Sequence, residues 1–123
     1  MRLFSFEKLD VWKLSMKLTK SIYELTKAFP NEEKFGLTSQ IQRASVSIAS
    51  NLAEGSSRIS GKDQARFSEI SYGSLLEVLN QLIIATELKY ISETELNNLR
   101  PLIEEIANKL NSLRKYQLTK EVK

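Results

Sequence analysis

The 123-residue chain contains neither cysteine nor histidine. The first absence excludes a disulfide framework, a thiolate nucleophile and any sulfur-ligated metal. The second removes the commonest general base at neutral pH together with the commonest transition-metal ligand. Glycine and proline are scarce, at four and two residues, and so little punctuation favours long helices over many short strands. No apolar run approaches the length of a membrane span, and the segment Met1–Lys8 becomes charged too early for a signal peptide. The expectation is a cytoplasmic protein with no membrane partner.

What is present fits a folded domain. Hydrophobic residues make up 41% and charged residues 27%, a balance that separates folded chains from disordered ones. One domain spanning 1–123 is long enough for a continuous core without disulfide or metal. The net charge of +3 is compatible with a polyanionic partner without pointing to one.

Apolar spacing predicts four helices over about 7–29, 36–54, 61–89 and 93–117. In the first, Val11, Leu14, Leu18, Ile22, Leu25 and Phe29 recur at three- and four-residue steps, and Pro30 ends the run. Leu9, Trp12, Met16 and Tyr23 form a second strip beside it. The second helix places Leu37, Ile41, Ala44, Ile48 and Leu52 on one face and stops at Gly55, read as a left-handed C-terminal residue. Ser60, with Asp63 in the first turn, caps the third, whose main face reads Phe67, Ile70, Ser74, Val78, Leu82 and Ala85. Ser92 and Glu95 fit a capping box for the fourth, continued by Leu96, Leu99, Ile103, Ile106, Leu110 and Leu113. Pro101 predicts a kink between Asn97 and Pro101, or a short helix and a restart, and residues 119–123 are expected to fray. Short connections between four such helices predict an all-α, antiparallel up-down-up-down four-helix bundle.

Charge is missing where a lone bundle would need it. Leu37–Ala53 holds one charged residue, Arg43, and Ile70–Thr86 holds one, Glu77. Lys8–Lys27 and Glu95–Lys115 hold seven each. A helix facing water normally has a strongly charged outer side. The second helix instead offers small residues, and the third is apolar nearly all round from Leu75 to Ala85. Val46, Ala49, Leu76 and Ile83 are therefore expected to face outward and to be covered by further copies of the chain, since large exposed apolar patches are rare on monomers. Gln40, Arg43, Ser47, Asn51 and Glu54 share one edge of the second helix at about 100° per residue. Arg43 and Glu54 lie about 16 Å apart along that edge, so each is expected to pair with another helix or another copy. Such a row reads as structural, a device for fixing register.

Several short motifs occur in order: Glu7-Lys8-Leu9 with Val11-Trp12; Phe29-Pro30, Glu33 and Phe35-Gly36-Leu37; Gln40 with Arg43-Ala44; Ser47-Ile48, Asn51 and Ala53-Glu54-Gly55; then Gly73-Ser74 with Glu77. Over roughly residues 6–90 the chain resembles the four-helix-bundle proteins encoded in intervening sequences of bacterial 23S ribosomal RNA genes, the fourth helix matching only in general character. The resemblance implies a ring-like homopentamer, and that family is similar to the accessory protein of diversity-generating retroelements, a pentamer that binds nucleic acid and a reverse transcriptase. Ala49 stands where the family commonly has proline, and Ser71 where it has alanine.

Two functions stay open on these residues. One is an assembly that binds RNA or other nucleic acid through Lys13, Lys17, Lys20 and Lys27 of the first helix, with Lys109, Arg114 and Lys115 of the fourth and the tail residues Lys120 and Lys123. Repetition around a ring multiplies such phosphate contacts. The other is a ring that serves as a scaffold for a partner protein, with Tyr72, Tyr90 and Tyr116 as candidate anchors. An enzyme is the weakest reading. Glu54, Glu69 and Glu77 lack the histidines that carboxylate-bridged metal sites in bundles employ, so no catalytic residue, metal or cofactor is assigned.

Overall fold

The computed structural model describes residues 1–120, and no strand occurs among them. Four helices, α1 (Asp10–Leu25), α2 (Leu37–Gly55), α3 (Gly61–Glu87) and α4 (Glu93–Thr119), build the chain. α1 and α3 each pack against both α2 and α4, so the contacts run around the closed circuit of a four-helix bundle. All four helices feed one core, with Leu18, Ile22, Ile41, Ile48, Leu75, Leu82, Ile106 and Leu110 sealed from solvent. Each such side chain contributes about 1.5–3 kcal/mol through removal from water.

The helix ends follow from local chemistry. α1 is shorter than the 7–29 its spacing predicts. A 3-10 turn at Ser5–Lys8, closed by the Glu7 carboxylate accepting from Phe4 N–H at 2.9 Å, runs into an extended Leu9 (φ −74°, ψ 126°). At the other end the helix tightens into a 3-10 turn at Thr26–Ala28 before Phe29 turns extended ahead of Pro30. The predicted caps are present: Ser60 accepts from Asp63 N–H, and Ser92 and Glu95 form a reciprocal capping box. α3 ends two residues early because Lys89 enters the left-handed region (φ 64°). Tyr90 N–H then reaches Ala85 O at 2.9 Å and Lys89 N–H reaches Thr86 O at 3.0 Å, the paired bonds of a Schellman ending.

Of the remaining expectations for the fold, three fail and the one at Pro101 fails in its restart form alone. Gly55 is not left-handed; it closes α2 in ordinary helical geometry, and a side chain there would bring Cβ within 2.7 Å of Phe67 Cβ. Close approach of α2 and α3, not backbone conformation, demands this glycine. α4 does not split at Pro101 but runs unbroken through it, leaving the Asn97 carbonyl without its helical donor. Thr119 is helical rather than frayed, and the rest of that expectation, on 121–123, lies outside the described residues. The core face of α3 is also shifted. Ile70 is exposed and Phe67 half-buried, while Ala65, Ser68, Ser71 and Leu75 point inward with Val78, Leu82 and Ala85.

Serines in the core are satisfied individually. Ser71 Oγ donates to Ile48 O at 2.9 Å, Ser68 Oγ to Gln117 Oε1 at 2.7 Å, and Ser15 Oγ to Val11 O at 2.7 Å. A buried hydroxyl without such a partner would cost about 1–3 kcal/mol.

Candidate functional site

The edge of α2 singled out by its polar residues lies along the α2–α3 seam. Ser47 Oγ and Ser74 Oγ share a hydrogen bond of 2.8 Å across that seam, and Asn51 Nδ2 donates to both Ser47 Oγ and Ser47 O at 2.9 Å. The lower half of the row is thus spent within the chain. Glu54, expected to pair with another helix or another copy, instead takes Arg58 one turn on, at 3.0 Å. Both groups are about half-exposed, so this pair contributes little.

The upper half is different. Gln40 and Arg43 are exposed, and Arg43 has no ion pair with any described residue. Arg43 lines a shallow trough with Tyr23, Ser39, Val46, Ser47 and Ser50. On α3, Glu77 is exposed and likewise lacks an ion partner among the described residues; its Oε2 accepts from Gln81 Nε2 at 3.2 Å. Gln81 is only 4% exposed. Its Oε1 is the one buried side-chain polar atom among the described residues without a hydrogen-bond partner.

Around these groups the outer surface is apolar. Val46 on α2 and Ile70, Leu76, Ile83 and Ile84 on α3 are each between 38% and 46% exposed. Ala49, expected outward with them, is buried inside its own chain at 7%. Gly73 lies on the exposed side of α3, with nothing within 4 Å of the position a Cβ would occupy. Nothing in its own chain requires a glycine there, although a mid-helix glycine costs about 0.5–1 kcal/mol relative to alanine.

The candidate cations differ in their surroundings. Lys13, Lys17, Lys20 and Lys115 are exposed, with no ion pair to a described residue. Lys27 pairs with Glu24 at 2.9 Å on a fully wetted surface, and Arg114 pairs with Glu69 at 2.8 Å across α3–α4. Lys109 is half-buried, Lys120 donates to Gln64 Oε1 at 3.1 Å, and Lys123 lies outside the described residues. Tyr72 packs against the core, whereas Tyr116 is 61% exposed beneath the Lys120 ammonium.

Sequence reasoning missed one polar junction. The Glu33 carboxylate accepts from Leu37 N–H at 3.0 Å and from Tyr90 O–H at 2.8 Å, clasping the α1–α2 connection to the α3–α4 connection. The Leu37 bond first, and the Tyr90 bond second, hold the Glu33 carboxyl below its ordinary value. Tyr90 is pushed up by that same bond, by burial and by the charges of Glu33 and Glu32. The partners are 57 residues apart in sequence, and no local pattern announces them.

Acidic side chains do not gather. Among the described residues there is no group of three or more Asp or Glu placed to hold a metal ion, and no helix is long and apolar enough to cross a membrane.

A family model described as 23S rRNA-intervening sequence protein matches residues 7–112. The chain belongs to that family. Its fold is shared with a crystal structure of a protein of unknown function from the S23 ribosomal protein family of Bacteroides thetaiotaomicron. The two superpose with a TM-score of 0.77 at 26% identity, over 85% of this chain and 95% of the other. Comparison with curated proteins gives no match. For this family the description carries no activity, and the solved relative is explicitly one of unknown function. The match extends past residue 90 through most of α4, further than the motifs alone carry the resemblance.

Proposed function

We propose that this intervening-sequence protein is a non-enzymatic scaffold, an up-down-up-down bundle that assembles with copies of itself through the outer side of α2 and α3 and offers RNA its lysine-bearing side. The observation that carries the reading is the outer stripe of α3. Ile70, Leu76, Ile83 and Ile84 are partly exposed on the stretch 70–86 of α3, whose one charged residue is Glu77, and burying such a stripe against a second chain stabilises assembly at about 25 cal/mol per Å2. The alternating helix order is supported by the cross-links. Ser47 meets Ser74 and Ile48 meets Ser71, so numbers rise on one helix as they fall on the other; Gln64–Lys120 with Glu69–Arg114, and Thr19–Ser45 with Thr26–Gln42, repeat the pattern. A closed ring of five is the form the family resemblance implies, and a cytoplasmic setting goes with it.

Size-exclusion chromatography with light scattering tests the assembly: a mass several times 14.1 kDa is expected, and a monomer at micromolar concentration overturns the reading. The RNA part rests on Lys13, Lys17 and Lys20, exposed cations free of ion partners among the described residues. Titration of a structured RNA should show affinity falling about tenfold or more between about 50 and 200 mM salt. An assembled protein that leaves RNA unshifted at the lower salt favours the protein-scaffold alternative.

A further inference from the structure

The scaffold reading leaves open what sets the register between copies, and the structure carries a candidate. Arg43 on α2 and Glu77 on α3 are the charges within two long neutral stretches, and neither finds an ion partner among the described residues. A surface arginine beside water needs no explanation on its own. Glu77 does need one, because a buried amide is committed to it. Gln81 spends its donor on the Glu77 carboxylate and leaves its own oxygen without a donor in the interior. Native buried polar atoms are nearly always paired. An unpaired one is intelligible where it holds a neighbouring group in a required position.

The surroundings are complementary in size as well as charge. Around Arg43 the trough is lined by the small side chains Ser39, Ser47 and Ser50 together with Tyr23, Gln42 and Val46, and it leaves room for a bulky neighbour. Around Glu77 the outer surface of α3 carries Ile70 and Ile84, one on each side at seven-residue spacing. One patch is shallow and cationic, the other bulky and anionic.

We infer that Arg43 of one copy pairs with Glu77 of another, and that this ion pair, held by Gln81 and flanked along α3 by Ile70 and Ile84, fixes the register of self-association. The inference rests on the scaffold reading above and names its specificity determinants. A guanidinium suits the role, because its fork of donors engages a carboxylate with defined geometry. Exclusion of water by the isoleucines strengthens the pair as the subunits close. Two such unlike patches, meeting patch to opposite patch, either close as a two-fold pair or repeat from copy to copy, and the mass of the particle tells which.

A competing arrangement must be separated from this one. Measured from the Ser47–Ser74 bond, Arg43 lies about 6 Å along α2 and Glu77 about 4.5 Å along α3. With α2 and α3 antiparallel the two reach similar levels, so the alternative is a pair within one chain after side-chain rotation. Charge reversal with mixing distinguishes them. Arg43→Glu and Glu77→Arg, each checked for folding by circular dichroism, should each weaken assembly about a hundredfold by placing like charges together. Mixed in equal amounts, the two variants should co-assemble, since each offers the other an opposite charge at up to four of the five junctions of a five-membered ring and at every junction of an even or open assembly, and native mass spectrometry should find both masses in one particle. Two folded single variants that assemble like the wild type overturn the inference and leave the scaffold reading intact. Failure of the mixture with rescue by the double variant in one chain assigns the pair to a single subunit and also overturns it. A monomeric wild type removes both.

Discussion

The hairpin α2–α3 and the helices α1 and α4 share one core but present different chemistry outward. Leu18 and Ile22 of α1, Ile106 and Leu110 of α4, and Ile41, Ile48, Leu75 and Leu82 of the hairpin are all sealed from water. Beyond that core, α1 shows lysines, while α3 shows isoleucines and leucine. Packing of the single chain therefore cannot account for the difference, because both halves already bury what the bundle needs. The outer surface of the hairpin is a second, independent specification, and substitutions can separate the two.

The largest effects should fall on the shared core. Leu18→Ala in α1 and Leu82→Ala in α3 should each cost about 2–5 kcal/mol in urea unfolding. Similar losses in both halves would show that the bundle is stabilised evenly, so that the contrast lies only on the outside. A much smaller loss at Leu82 would mean that α3 depends on contacts beyond its own chain.

Two glycines sharpen the comparison at the next level down. Gly55→Ala should destabilise by about 1–3 kcal/mol, since its Cβ would press on Phe67 and force α2 from α3. Gly73→Ala meets nothing within 4 Å, and should stabilise the isolated bundle by up to about 1 kcal/mol. If Gly73 lies under a second copy, the same change should weaken assembly, so thermal melting and light scattering would move in opposite directions.

The clasp at one end of the bundle predicts a pH window. Glu33 is held below its ordinary value, so its stabilisation is present above about pH 4.5 and is lost as pH falls through the lower folded value. Tyr90 is raised above 10, so its contribution is present below pH 10 and is lost as pH rises through the higher folded value. Glu33→Gln should flatten the acid limb of stability against pH and return the Tyr90 phenol toward its ordinary value. Unfolding at a series of pH values, with the tyrosinate absorbance as second readout, checks both. An unchanged acid limb would assign the acid sensitivity elsewhere.

The architecture was legible where polarity alternates with helical period. Val11, Leu18 and Ile22 stand against Lys13, Lys17 and Lys20, and α1 faces the way that spacing predicts. α3 defeats the same reasoning, because leucines and isoleucines surround it and hydropathy cannot say which side is in. Its inner face near the N-terminus is instead built from Ala65, Ser68 and Ser71, admitted because Ile48 O and Gln117 Oε1 receive the serine hydroxyls. Ala49 misleads for a related reason: a small side chain fits equally well inside a tight helix pair or under a neighbour. Of the candidate site, the scarcity of charge around Arg43 and Glu77 was visible in the residues. That Glu54 is taken by Arg58, and that Gln81 is committed to Glu77, depends on rotamers and helix facing that no spacing rule encodes.

The smallest effects on stability, and the finest break in the comparison, belong to the lysine side. Lys17→Ala and Glu24→Gln change exposed groups on α1 and should each alter unfolding free energy by no more than about 0.5 kcal/mol. Their effects on RNA should have opposite signs. Removing Lys17 removes one phosphate contact per copy and should lower the salt slope by about one per subunit engaged. Replacing Glu24 frees the Lys27 ammonium, now paired at 2.9 Å, and removes an anion from the lysine face, so RNA should bind more tightly and with greater salt sensitivity. A lysine face that is merely solvated would leave RNA affinity unmoved in both variants. α1 and α4 would then owe their charge to solubility alone, and the proposed function would rest on the hairpin.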